Sequence, residues 1–441
     1  MLEGKQTLRR IWSRPHLPTT KDSPFGTWQK LRLLLVIVAF GDLLAAAYYF
    51  WNSAYLGRGY PYNTFLFLPR ERFSDFENMV IMCRDLNPYH DGTQSGYPPF
   101  ANLFYYLFSP FSTQFGYTLY LIPPVMFVIW ACKQTLSHLS LLRQLLTIVF
   151  ICIFSYPFLF AFDRGNLEFY LMISSGSFLI FYNSRQEQLR QLSCIALAFA
   201  ISLKVYPASL LLLLLKDRRF LDCLKVFILC EVLSVGSAVF FKGGAWNAEC
   251  DSFGMLVGVD QLAKGNLDYG HFNSGIFYGV VIVLKCIHGD SILEWFTGHY
   301  WIIASFLLMG YSALILRARL SSCESAICVV CLMCLLPSLS NDYRTLQILV
   351  PMLLYVSSRT AWTNTEYLIL VYMGLLLVPR NYWIMLPEVG AGDIGIGSVI
   401  TPLILIGLLN TLLFGKHRGN RGQTFSAGRV EHGITGLTNA S

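Results

Sequence analysis

Between residues 33 and 414 the chain returns repeatedly to apolar runs of about 15 to 22 residues, the length that carries a helix through hydrocarbon. No other feature limits the fold so tightly. A backbone in lipid has no water to satisfy its amide and carbonyl groups, so only helices and closed barrels can cross. Continuous runs of this length, without strict alternation, are helical. Composition agrees: 54% of the 441 residues are hydrophobic and 13% are charged, with a mean hydropathy of +0.50. An aromatic share of 15% suits both the membrane–water interface and helix packing. The net charge of +7 is spread as Lys and Arg between the apolar runs, a pattern of membrane topology and not of a nucleic-acid surface. The expected class is an all-α polytopic membrane protein.

Basic residues orient such a chain, because short cytoplasmic loops carry the excess of Lys and Arg. Segment 1–32 holds Lys5, Arg9, Arg10, Arg14, Lys21, Lys30 and Arg32 and is expected inside. Its basicity, ahead of an apolar run over 33–51, marks an uncleaved first span in place of a signal peptide. Further spans are expected near 116–131, 144–162 and 166–182, with only Asp163-Arg164-Gly165 exposed between the last two. The stretch CIALAFAISLKVYPASLLLLLLKDRRF is bracketed by basic residues, with Arg185 and Arg190 before it, so a single crossing would strand Lys216, Arg218 and Arg219 outside. Two short helices meeting at Lys204–Pro207 avoid this, with Pro207 supplying the break. A span over 220–241 then leads to a long outer segment, 242–298, in which NSGIFYGVVIVLKCI reads as a surface or re-entrant helix. Spans at 299–316, 325–336, 345–356, 366–378 and 396–414 bring the total to about twelve, with both termini inside. The expected organisation is a cytoplasmic segment 1–32, a membrane domain 33–414 and a disordered cytoplasmic tail 415–441.

The twelve cysteines carry little of the argument. Cys328, Cys331 and Cys334 have a spacing that suggests metal, but they lie in an apolar run without nearby His and read as buried hydrophobes. Cys83 and Cys250 fall in two outer loops, where a disulfide is chemically allowed. The chain has no metal motif, and its acidic first loop leaves recruitment of a divalent ion open.

The orientation uses only basic flanks and apolar lengths, yet it gathers the unusual polar clusters on one outer face. They are residues 75–91, Asp163-Arg164-Gly165-Asn166-Leu167-Glu168, Lys204 with Tyr206, His271-Phe272-Asn273-Ser274, and Asn341-Asp342-Tyr343-Arg344. Ionisable groups at membrane depth are costly and mark function by default. An Asp offers a base for a hydroxyl proton. Arg164, Lys204 and Arg344 offer fixed positive charge for a phosphate. With apolar spans alongside to hold a lipid tail, these parts suit group transfer from a lipid-linked phosphate.

Asp75 in FSDFENM, Asn87-Pro88-Tyr89, and Tyr97-Pro98-Pro99-Phe100 together resemble glycosyltransferase family 87. LKVYP, NSGIFYG and LPSLSNDYRTLQILVP follow in matching order. The resemblance extends over about 33–351 and implies a GT-C fold, a polyprenyl-phosphate sugar donor (typically mannose) and a glycan or glycolipid acceptor. It also implies a multi-pass location in the plasma or inner membrane and a catalytic Asp in the first outer loop. Asp75 matches that position as the base, with Asp85 and Asp91 as rivals. Arg164, Lys204 and Arg344 are the candidate phosphate ligands. Asp85, Tyr89, Asn166, Tyr206, Asn273, Asn341, Asp342 and Tyr343 are candidate pocket residues, whereas Tyr97 to Phe100 are expected to shape the loop. The chain departs from the family at Asn341-Asp342-Tyr343-Arg344, where relatives with a His nearby can use an imidazole. A single inverting displacement is implied, although the residues alone leave a covalent route through a carboxylate open. A transporter or lipid flippase is the alternative, and it would need paired repeats and polar groups at the bilayer midplane. A scaffold subunit, with Asp75 far from the cations, is the third.

Overall fold

The computed structural model describes residues 24–66, 71–89, 95–265, 272–358, 363–385 and 393–427. The chain opens with α1 (Pro24–Phe50), continued by a wider π turn over Trp51–Tyr55. Then come α2 (Ser74–Cys83), α3 (Pro99–Tyr106), α4 (Thr113–Thr135), α5 (Leu141–Leu146) and α6 (Tyr156–Arg164). Next are α7 (Glu168–Phe181), α8 (Glu187–Leu203), α9 (Leu211–Lys216) and α10 (Phe220–Ala238). Helices α11 (Ala245–Gly265), α12 (Ile276–Cys286) and α13 (Asp290–Arg317) follow. The last are α14 (Ser322–Leu335), α15 (Leu349–Ser358), α16 (Asn364–Leu377) and α17 (Gly397–Ala427). One small antiparallel pair, β1 (Trp383–Met385) and β2 (Asp393–Gly395), interrupts the helices, with Trp383 opposite Gly395.

Among the described residues the all-helical expectation holds apart from that pair, but twelve full-length spans are not found. Among the described residues four helical stretches are long and apolar enough to cross a membrane: Phe25–Tyr55, Thr113–Thr135, Asp290–Arg317 and Gly397–Gly415. A fifth is made by Leu141–Ile153 and Tyr156–Arg164 if that pair, bent by 56°, counts as one span. Helices α7, α12, α14 and α16 are apolar but short, each of 10–17 residues. α10 carries Asp222, Lys225 and Glu231. The expected break at Lys204–Pro207 is present, since α8 ends at Leu203 and a 3₁₀ turn over Tyr206–Leu210 begins. Proline cannot donate within a helix and disfavours a helical residue before it. α1 and α17 run across the domain boundaries drawn at 32 and 414, and residues 428–441 lie outside the described set.

The core explains the short helices. α7 is buried on nearly every side, and all described positions of α14 from Glu324 to Leu335 are buried, including Cys328, Cys331 and Cys334. A helix apolar all round belongs in the interior. α13, by contrast, leaves most of its surface outside, including Trp295, Trp301 and Phe306. Cys83 and Cys250 are both free thiols. Cys83 is buried and donates to Asn102 Oδ1 at 3.6 Å, whereas Cys250 is exposed on α11. The disulfide is therefore not formed.

Candidate active site

Four local structures bring the polar clusters together. The first is the start of α2. Phe73, its N-terminal flank, sits in the left-handed region (φ 62°), a conformation that costs a bulky residue on the order of 1–3 kcal/mol. Packing against Tyr117 at 4.2 Å and a backbone bond from Phe73 N to Asp163 O at 2.7 Å hold it there. Asp75 thus lies in the first turn of α2, where the helix dipole favours a carboxylate.

The second is the end of α6. Gly165 closes the helix with φ 67°, and a Cβ there would meet Phe76 Cβ at 2.7 Å, so only glycine fits. This left-handed turn places Arg164 and Asn166 on opposite oxygens of Asp75. Arg164 Nη2 donates to Oδ1 at 2.5 Å and Asn166 Nδ2 donates to Oδ2 at 2.6 Å. Arg164 also approaches Glu71 at 3.5 Å.

The third is the break after α8. Lys204 leaves the helix in extended conformation and donates to Asn166 Oδ1 at 3.0 Å and to Glu168 Oε1 at 2.9 Å. The rings of Tyr97 and Tyr343 lie 5.5 and 5.7 Å from its ammonium. Burial pushes that ammonium below the usual lysine range, Glu168 pulls it back up, and Arg344 pushes it further down.

The fourth is the 3₁₀ turn Asp342–Ile348. Side chains three apart eclipse in such a turn, so Arg344 and Gln347 share a face. Gln347 donates to Glu168 Oε2 at 3.0 Å, and Arg344 Nε stands 4.0 Å from Oε1. The Arg344 guanidinium lies over the Tyr206 ring at 4.2 Å, and its buried Nε has no hydrogen-bond partner among the described residues. A buried cation with an unused donor is suited to an anion.

The structure thus joins Asp75, Arg164, Asn166, Lys204, Tyr206 and Arg344 in one connected cluster, with Tyr343 against Lys204. Asn341 belongs to its edge, donating to the Tyr343 hydroxyl at 2.8 Å. Four other candidates stand apart from the cluster. Asp85 is exposed on the turn after α2, and no hydrogen bond of the cluster reaches it. Tyr89 is buried against Phe241 and donates to Tyr97 O at 2.9 Å, which makes it a brace for the loop. Asn273 is fully buried and bonded to Ser338 O and Gly275 N, pinning its segment beside Asn341 through a β-bridge. Asp342 is fully buried and accepts from Tyr156 at 3.0 Å, Asn381 at 2.9 Å and Arg380 at 3.5 Å, so it has no surface for a substrate. Burial raises its carboxyl above the usual range, with Arg380 opposing. Asp91 and His271 lie outside the described residues.

Sequence reasoning missed three participants. Glu168 was visible only as one more acid in the second cluster, Tyr97 only as a loop-shaping residue, and Gln347 not at all. The signal for Glu168 was an ionisable group opening an apolar helix.

An apolar groove of about 600 Å³ runs off the cluster between the 205–215 stretch, α13 and α14. Tyr206 and Met333 line it. Tyr206 also donates to Glu168 at 2.5 Å, and Met333 O faces Arg344 Nη1 at 3.5 Å. Polar cluster and apolar groove therefore share walls. Among the described residues no group of three or more His, Cys, Asp or Glu is placed to hold a metal ion.

The family model of glycosyltransferase family 87 matches residues 96–338. That span includes Tyr97 to Phe100, Arg164, Lys204 and the NSGIFYG segment, and it stops short of Asp75 on one side and Arg344 on the other. No curated protein and no solved structure gives a significant match.

Proposed function

Because the chain belongs to glycosyltransferase family 87, we propose that it moves a sugar, mannose, from a polyprenyl-phosphate donor to a hydroxyl of a lipid or glycan acceptor. The reaction is assigned to the extracytoplasmic face of the cell membrane. The observation that carries this reading is the direct contact of Asp75 with Arg164 and its link through Asn166 to Lys204, beside an apolar groove.

In this mechanism Asp75 takes the proton of the acceptor hydroxyl as its oxygen attacks the anomeric carbon. The bond from that carbon to the phosphate oxygen breaks, the electron pair leaves with the phosphate, and polyprenyl phosphate departs. One displacement inverts the anomeric centre. Each oxygen of Asp75 accepts one bond in the cluster, and a carboxylate has about four lone-pair sites, so acceptance from a substrate remains available. Its 18% side-chain exposure gives access. Glu168 and Asp342 are fully buried and Asp85 is outside the cluster, which supports Asp75 among these carboxylates. Lys204 and Arg344 face the donor phosphate and offset the charge that grows on it as the bond breaks. The groove behind Tyr206 takes the tail.

The test is incubation of purified protein with a panel of labelled polyprenyl-phosphate sugars and candidate membrane acceptors. Transfer from the mannosyl donor is expected. Transfer only from nucleotide sugars would overturn the assignment.

A further inference from the structure

Glu168 is the most connected group in the cluster and has no part in the chemistry above. Its side chain is wholly inaccessible, so no substrate touches it. It accepts from Lys204 at 2.9 Å, Tyr206 at 2.5 Å and Gln347 at 3.0 Å, with Arg344 Nε at 4.0 Å. Gln347 also donates to its backbone carbonyl at 3.1 Å, and Ser175 holds the far end of Gln347 at 2.7 Å. These partners come from the break after α8, the 3₁₀ turn before α15, and α7 itself. A buried carboxylate is costly unless fully paired, and losing it leaves its cations uncompensated.

We propose that Glu168 is a positioning residue whose single carboxylate fixes Lys204, Tyr206, Gln347 and Arg344 as one unit and supplies the counter-charge that keeps a charged ammonium at the phosphate site. This rests on the assignment of Lys204 and Arg344 to the donor phosphate.

The charge around Lys204 makes the proposal specific. Facing it are Glu168 from α7, Asp75 from α2 and Arg344 from the 3₁₀ turn, with Asn166, Tyr97 and Tyr343 as neutral neighbours. Glu168 is the acid in direct contact, and without it Lys204 is left in a buried site beside Arg344. Both burial and a like charge favour the neutral amine. Loss of Glu168 therefore removes phosphate affinity from the alkaline side.

The experiment measures binding of farnesyl phosphate to the purified full chain in detergent from pH 7 to 10. Wild type should lose affinity on an alkaline limb. In Glu168→Gln that limb should move down by about one pH unit. Combining Glu168→Gln with Lys204→Arg should abolish the limb, since arginine stays charged throughout this range. Tyr206→Phe removes one bond to Glu168 but no charge, so it should weaken binding uniformly and leave the limb in place. An unmoved limb in folded Glu168→Gln overturns the proposal. If that variant does not accumulate, a limb that survives in Lys204→Arg alone, or undiminished binding in Tyr206→Phe, overturns it instead. Failure of the donor assignment has a different signature: Lys204→Met and Arg344→Met would both bind the probe as wild type does.

Discussion

Asp75 and Arg164 meet at 2.5 Å although 89 positions separate them. The contact depends on two left-handed residues, Phe73 before Asp75 and Gly165 after Arg164. Local backbone conformation at both ends therefore sets the geometry of the proposed reaction centre.

Asp75→Asn should lower transfer by about 10²–10⁴-fold, the usual contribution of a positioned base. The amide is close in shape and can still accept from Arg164, but its nitrogen cannot accept from Asn166. A stability loss of about 1–3 kcal/mol is therefore expected, while folded protein is still recovered in detergent. Full activity in this variant would remove Asp75 from the mechanism.

Gly165→Ala should destabilise the protein and misalign the site together. The added methyl meets Phe76 at 2.7 Å, and the backbone is left-handed. A loss of about 1–3 kcal/mol is expected from the strained conformation alone. Thermal unfolding in detergent and transfer rate should fall in parallel; an unaltered melting curve would contradict the account of this turn.

Filling the groove should discriminate between donors by tail length. Ala208→Trp and Ala304→Trp both place a ring in it. Excluding two buried methylenes costs about 1.6 kcal/mol, roughly tenfold in affinity. KM for a long-chain donor should rise by that factor or more, while a short-chain donor is little affected. Equal effects on both donors would place the tail elsewhere.

Arg380→Met should cost about 3–5 kcal/mol, the penalty for leaving a buried charge alone. Arg380 is buried against Asp342 and also donates to the carbonyls of Leu376 at 2.5 Å and Leu375 at 3.1 Å, closing α16. Arg380→Met combined with Asp342→Leu should recover part of the loss, because neither charge is then stranded. A double variant no more stable than the single one would show that the carbonyl bonds dominate.

Hydropathy was enough to locate the first, second, penultimate outer and last long helices, and basic flanks located the break at Lys204. Segment length alone could not separate spans from interior helices. α7 and α14 read as spans, but their residues pack against protein on all sides. In the site, charge type was legible and pairing was not. Asp342 looks as available as Asp75 in the sequence, and only the fold brings Arg380 and Asn381 to it. Gln347 carries no charge and lies in an apolar stretch, so nothing local distinguishes it from a helix-facing amide.

The contrast between α13 and the interior helices has a consequence for how reactants arrive. At 1.5 Å per residue, 28 residues rise about 42 Å while the 14 of α7 or α14 rise about 21 Å. Ala304, Ser305 and Leu308 of the long, outward-facing α13 wall one side of the groove, and the buried α14 walls the other. If that groove takes the donor tail as proposed, the tail lies between an outward-facing helix and an interior one, and its entry is from the side of α13.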